Sequence, residues 1–274
     1  MSLFKYPEDR WPVLVAAAMT VADVTMYVTV RSAWMLVAYW LLMLIPKGIL
    51  CAWNHHHQHV ATFRSTALNR LLELCYGLHT GVTTNTWVLH HVLGHHQNFL
   101  DQQKDESRWK RSNGQPMGVI EYTFSVAATA YPRAYQVGRR YPQHQRTFVI
   151  YTGLTLLLVA GLVAYRPLAG IMLFVLPMVC SLLYTTWVTY DHHSGLDTDD
   201  HFQASYNNLN TMFNRLTGNL GYHTAHHYRQ GVHWSKLPEL HARIQHNIPA
   251  HLYRKSTFDR VLPGGHQPGA EGAA

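Results

Sequence analysis

The chain has 274 residues, 47% of them hydrophobic, yet its mean hydropathy is only −0.12. That length allows one large domain or two small ones, and that mean is too low for a transporter lying almost wholly in lipid. A net charge of +7 without a nucleic-acid-binding motif excludes a nucleic-acid partner; it fits contact with anionic headgroups or with an acidic, cofactor-bearing partner.

The first ten residues are polar and charged, and Trp11–Val30 follows as the first apolar stretch. It lacks a cleavage-like small-residue site, so no removable signal peptide is expected. Arg31-Ser32 links it to a second stretch, Ala33–Leu50. Thr147–Tyr165 and Pro167–Tyr190 form a second pair joined at Arg166-Pro167. Each stretch approaches the roughly 20 residues that cross ~30 Å of hydrocarbon. The fold class read from this is all-α and integral to the membrane, with four transmembrane helices (11–30, 33–50, 147–165, 167–190) in two hairpins. Asp23 costs about 2.5–3.5 kcal/mol inside such a span and is expected to face the bundle or a polar cavity.

Histidine dominates what lies between and after the spans: 21 imidazoles against 15 carboxylates. His55-His56-His57-Gln58-His59 follows the second span. Phe63–Trp87 is amphipathic, with Leu68, Leu71, Leu72, Cys75 and Leu78 at helical spacing. His90-His91-Val92-Leu93-Gly94-His95-His96 comes next. A second amphipathic run, Gly118 to Ala130, ends at a break expected at Pro132; both runs read as interfacial helices. His192-His193 closes the fourth span, and His223-Thr224-Ala225-His226-His227 lies beyond it. Residues 1–262 read as one domain and 263–274 as a disordered Gly/Pro/Ala-rich tail.

Lys and Arg are sparse at the hairpin tips and frequent elsewhere, which by the positive-inside bias puts both termini, the middle segment and the histidines on the cytosolic side, as a helical cap. Both hairpins return to that side, so the clusters are expected to meet at one membrane boundary. His55 and His59, and His91 and His95, are i,i+4 pairs, and His223, His226 and His227 share a face. With His96 and one His from the 192–193 pair this makes nine imidazoles, enough for two metals at four or five ligands each; a single structural zinc takes four.

Imidazole alone does not choose among zinc, copper, iron and nickel. The absence of Glu-x-x-His excludes a ferritin-like di-iron layout, and that of His-Glu-x-x-His a zinc protease. Cys51, Cys75 and Cys180 are widely spaced and form neither a disulfide framework nor a thiolate site.

These residues resemble the integral-membrane fatty-acid desaturase and hydroxylase superfamily, whose histidine boxes hold a non-haem di-iron site. The boxes are His55-xxx-His59, His91-xxx-His95-His96 and His223-xx-His226-His227, in order and spanning nearly the whole chain. The additional His that the family carries at the end of its last span matches Asp191-His192-His193-Ser194-Gly195-Leu196. His193 is favoured there and His192 is the alternative. The resemblance implies a metal set of His55, His59, His91, His95, His96, His193, His223, His226 and His227, holding two Fe ions that activate O2. It further implies a fatty acyl or alkyl substrate in membrane lipid, with electrons from a ferredoxin- or cytochrome b5-like donor and its reductase. The reading is a fatty-acid desaturase. The alternatives are an alkyl or acyl hydroxylase, to which the Gly94 form of the second box is similar, and an oxidative decarboxylase forming a terminal alkene. A non-enzymatic metal transporter is remote, because it would place its ligands near the midplane.

Asp191, Asn54, Asn85 and Asn219 are adjacent to the boxes and are expected to orient the rings. Arg64, Arg70, Arg108, Arg215 and Arg229 are expected near a substrate headgroup. Trp53, Trp87, Trp109, Trp187 and Trp234 line a tunnel or anchor at the interface.

Overall fold

A computed structural model describes residues 2–255, so the tail expected at 263–274 lies outside the described residues. The described chain is all helical. Four helices are long and apolar enough to cross a membrane: Pro7–Thr29, Ala33–His59, Pro142–Tyr165 and Pro167–His193. Their Leu, Val and Ile side chains are widely exposed, Leu42 and Leu157 at 72% and 71% among them. Surface of this kind suits lipid, not water.

The contacts form two compact units: the chain up to Leu89 together with Ala134–Thr185, and His90–Arg133 together with the chain from Thr186 onward. In the first unit α1 (Arg10–Thr29), α2 (Ala33–His59) and α3 (Thr66–Thr80) pack on one another. Ser32 and Ser65 cap α2 and α3, accepting from Met35 N and Leu68 N. Gly81 ends α3 in the left-handed region (φ 69°), where an added Cβ would lie 2.3 Å from Met178 O. The helix is therefore shorter than the amphipathic pattern running to Trp87.

α5 (Pro142–Tyr165), the short α6 (Pro167–Gly170), a π-helical turn Ile171–Val175 and the start of α7 (Leu176–His193) complete this unit. Tyr27, Leu36, Leu173 and Phe174 form its core. Asp23 faces that interior: Lys47 Nζ lies 2.6 Å away, His79 Nδ1 3.2 Å, and Tyr39 donates to it at 2.8 Å. Three partners offset the cost of burying a carboxylate there.

α4 (Val119–Gly138) runs through Pro132 without the break that residue predicts. The boundary between the units falls one residue later, after Arg133. Buried Ala130, Ala134 and Val137 keep the helix packed on both sides of the proline.

The second unit has two small cores. Trp109, Met117, Tyr122 and Val126 form one; Leu209, Tyr222, Ala225, Leu237, Ile244 and Leu252 form the other. The latter joins α9 (His223–Tyr228) to α10 (Leu237–Ile244), with α8 (Thr211–Thr217) preceding them.

Candidate metal centre

α2 continues past the apolar stretch and carries the first box as its last turn. Asn54 to Gln58 are buried, and the rings of His55 and His59 lie 4.7 Å apart on one face. The neighbouring His57 is used elsewhere. His57 bonds Thr62 through Nδ1 (2.9 Å) and meets Glu73 through Nε2 (3.4 Å), and Arg70 pairs with that same carboxylate. Gln58 Oε1 accepts from Trp87 N and Val88 N, which anchors the start of the second box.

The second box is π-helical over Val88–His95. This changes the pairing that α-helical spacing predicts. In a π-turn the backbone bond spans five residues, and His96 N donates to His91 O at 2.8 Å. His91 and His96 consequently approach through their Nε2 atoms at 3.0 Å. His95 is turned from that pair toward His193, Nε2 to Nε2 3.3 Å.

The third box stands on a polar scaffold. Asn207 donates to Thr224 Oγ1 and accepts from Thr224 N, and Ser205 bonds the same hydroxyl. Asn214 Oδ1 accepts from Gly221 N, while Gly221 leaves no room for a side chain: an added Cβ would meet Asn208 O at 1.9 Å. Thr224 and this asparagine set are site-positioning residues that motif spacing does not reveal.

Within the second unit the imidazoles gather in two sets. Nitrogens of His91, His96 and His226 lie within 4.8 Å of one another, and so do those of His95, His193 and His227. His223 Nε2 is 3.0 Å from His193 Nε2 and adjoins the second set. His193 therefore belongs to the cluster; His192 packs its ring on His223, 3.9 Å between centroids. All seven are buried.

The donor chemistry suits a cation. His95 Nδ1 is 2.7 Å from Asp105 Oδ1, and His193 Nδ1 is 2.9 Å from Ala204 O. A carboxylate and a carbonyl only accept, so both Nδ1 atoms carry the proton. Their Nε2 atoms face each other at 3.3 Å, and in the neutral form each ring turns a lone pair inward. A positive ion can take both lone pairs, and separations of 3.0–3.3 Å suit adjacent nitrogens on an ion with bonds of about 2.1 Å. Burial, with the neighbouring imidazoles, also pushes the pKa of His223 well below its usual value, which holds it in the neutral, ligating form.

The ring-orienting carboxylate is Asp105, not the four residues adjacent to the boxes. Asn54 bonds Thr80 and Val82 O, Asn85 bonds His144, Asp191 pairs with Arg254, and Asn219 donates to Trp234 O. Asp105 comes from a loop fixed by Ser107 N (2.7 Å), by Arg133 on Glu106 O and by Tyr122 on Ser107 O. The only sequence signal for it is a carboxylate in the polar run after the second box.

Arg70 is paired with Glu73 and Arg108 donates to Asp105 O, whereas Arg64, Arg215 and Arg229 are exposed. Trp53, Trp87 and Trp109 are buried; Trp11 and Trp34, at 67% and 82% exposed, are the side chains open to an interface. A cavity of about 30 Å³ beside His192, lined by Trp187, Phe213 and Arg254, has room for a water or two and not for an acyl chain.

Among family models, the one described as fatty acid desaturase matches residues 32–258, which includes all three boxes. No curated protein matches the chain.

Proposed function

The chain belongs to the fatty acid desaturase family, and on that premise we propose that it is an O2-dependent di-iron oxidase that desaturates a fatty acyl chain. Membership makes it a membrane oxidoreductase of fatty acyl chains. The observation that carries the di-iron reading is the facing Nε2 pair of His95 and His193, whose outer nitrogens are each tied to an acceptor.

In this reading His95, His193, His223 and His227 hold one iron. His91, His96 and His226 hold the other, with His55 and His59 from α2 supplying its remaining imidazoles. Two irons supply O2 activation and abstraction of hydrogen from an unactivated methylene. Desaturation takes two hydrogens from the acyl chain, with two electrons and two protons from outside, and reduces O2 to two waters. The electrons come from a separate ferredoxin- or cytochrome b5-like donor and its reductase.

The protein's part is orientation and exclusion of water. Asp105 and Ala204 fix the tautomers and planes of His95 and His193, so that each Nε2 faces inward without rearrangement. Burial of the imidazoles keeps bulk water from the oxidant. In the same reading the histidines and both termini face the cytosol, an orientation that the distribution of Lys and Arg supports.

The test is mass spectrometry of lipids and volatiles from cells expressing the chain. A new double bond within an acyl chain supports desaturation. A new hydroxyl, or an alkene shortened by one carbon, would replace that reading with hydroxylation or oxidative decarboxylation.

A further inference from the structure

At the end of α2 remote from the histidines, the two hairpin turns bring Arg31 and Arg166 to one open cavity of about 490 Å³, lined also by Leu36, Tyr165 and Leu168. From Ala33 to His55 the helix rises about 33 Å, close to the hydrocarbon thickness, so the cavity opens at the opposite membrane face.

Arg166 is held in place. Its Nη2 donates to Val30 O and its guanidinium lies over the Tyr27 ring at 5.4 Å, yet its Nη1 is buried with no hydrogen-bond partner. Arg31 has no hydrogen bond or ion pair among the described residues. Among the described residues no acid is paired with either. The chain carries no Asp or Glu between Asp23 and Glu73, nor between Glu121 and Asp191. Asp23 itself is engaged by Lys47, His79 and Tyr39. Two guanidinium groups at a low-dielectric boundary without a carboxylate call for an anion from outside the chain.

The rim identifies its source. Of its lining residues, Tyr165 is 82% exposed and Leu168 47%, and Trp34, three residues after Arg31 in sequence, is also 82% exposed. Aromatic side chains of this kind occupy headgroup depth, and an aliphatic one beside them suits an acyl chain. We infer that Arg31 and Arg166 form a binding site for the phosphate of an anionic phospholipid at the membrane face opposite the histidines. The guanidinium fork matches phosphate oxygens in pairs, and the site is independent of the chemistry proposed above.

The test is native mass spectrometry of the full chain with phosphatidylglycerol or phosphatidylcholine, for the wild type, Arg31→Gln and Arg31→Lys. Arg31 is chosen because it supports nothing else in the fold, and unchanged melting temperatures check this. The wild type should retain phosphatidylglycerol over phosphatidylcholine. Arg31→Gln should weaken that retention about tenfold. Arg31→Lys should fall between, because lysine keeps the charge and loses the fork. Equal retention of the two lipids, or unaltered retention in Arg31→Gln, would overturn the inference. Displacement of the lipid by inorganic phosphate would assign the cavity to free phosphate and overturn it equally.

Discussion

Replacing Asp105 separates the orienting carboxylate from the ligands themselves. Its Oδ1 accepts from His95 Nδ1 at 2.7 Å and from Ser107 N at 2.7 Å, and the side chain is 1% exposed. Asp105→Asn keeps the shape and one acceptor but loses the charge, and a charge-assisted bond is about twice as strong as a neutral one. The loss is about 1–1.5 kcal/mol, or roughly tenfold in metal affinity. Asp105→Ala leaves two buried N–H groups without an acceptor, at about 1–3 kcal/mol each, and frees the His95 ring to turn. Its metal affinity should fall about a hundredfold, the upper range for a residue behind a metal ligand. Metal retained against a graded chelator, with turnover at a fixed electron supply, measures both variants; a melting curve separates local from global loss. Wild-type metal retention and turnover in Asp105→Asn and Asp105→Ala alike would refute the idea that this carboxylate sets the imidazole.

His193→Ala should lose metal and turnover, whereas His192→Ala, which removes only a ring packed on His223, should keep both; assays of the pair decide between them. Gly221→Ala drives a Cβ into Asn208 O and should destabilise at the upper end of about 1–3 kcal/mol, read as a lower melting temperature with loss of metal. His241 is 3% exposed and burial depresses its pKa from 6.5 to about 4. It is neutral in both states above pH 6.5; as the pH falls from there to about 4 only the unfolded chain takes up the proton, so stability drops by up to about 3 kcal/mol. His241→Phe should flatten the melting temperature across that window, and an unchanged slope would show that another group is responsible.

The spans were legible because lipid imposes length and apolarity together; their ends were not. Hydropathy stops at Leu50 although α2 continues through His59, because buried polar residues extend the helix where partners satisfy them. In the same way α5 begins at Pro142, five residues before the apolar stretch, with a polar first turn. The boxes were legible as residue types at fixed spacing. His91 and His95 stack their rings at 5.0 Å as i,i+4 spacing suggests, but the π-turn, which spacing does not reveal, also brings His96 to His91. Asp105 and Asn207 were not legible because they reach His95 and Thr224 through space; residues next to a box in sequence, such as Asn54, point elsewhere.

Metal analysis of the full chain, purified after expression with iron and zinc both supplied, tests the central claim most directly. The proposed di-iron centre predicts two irons per chain, and His95→Ala should lower that number. About one zinc per chain with no iron, or iron content unchanged in His95→Ala, would contradict a di-iron centre.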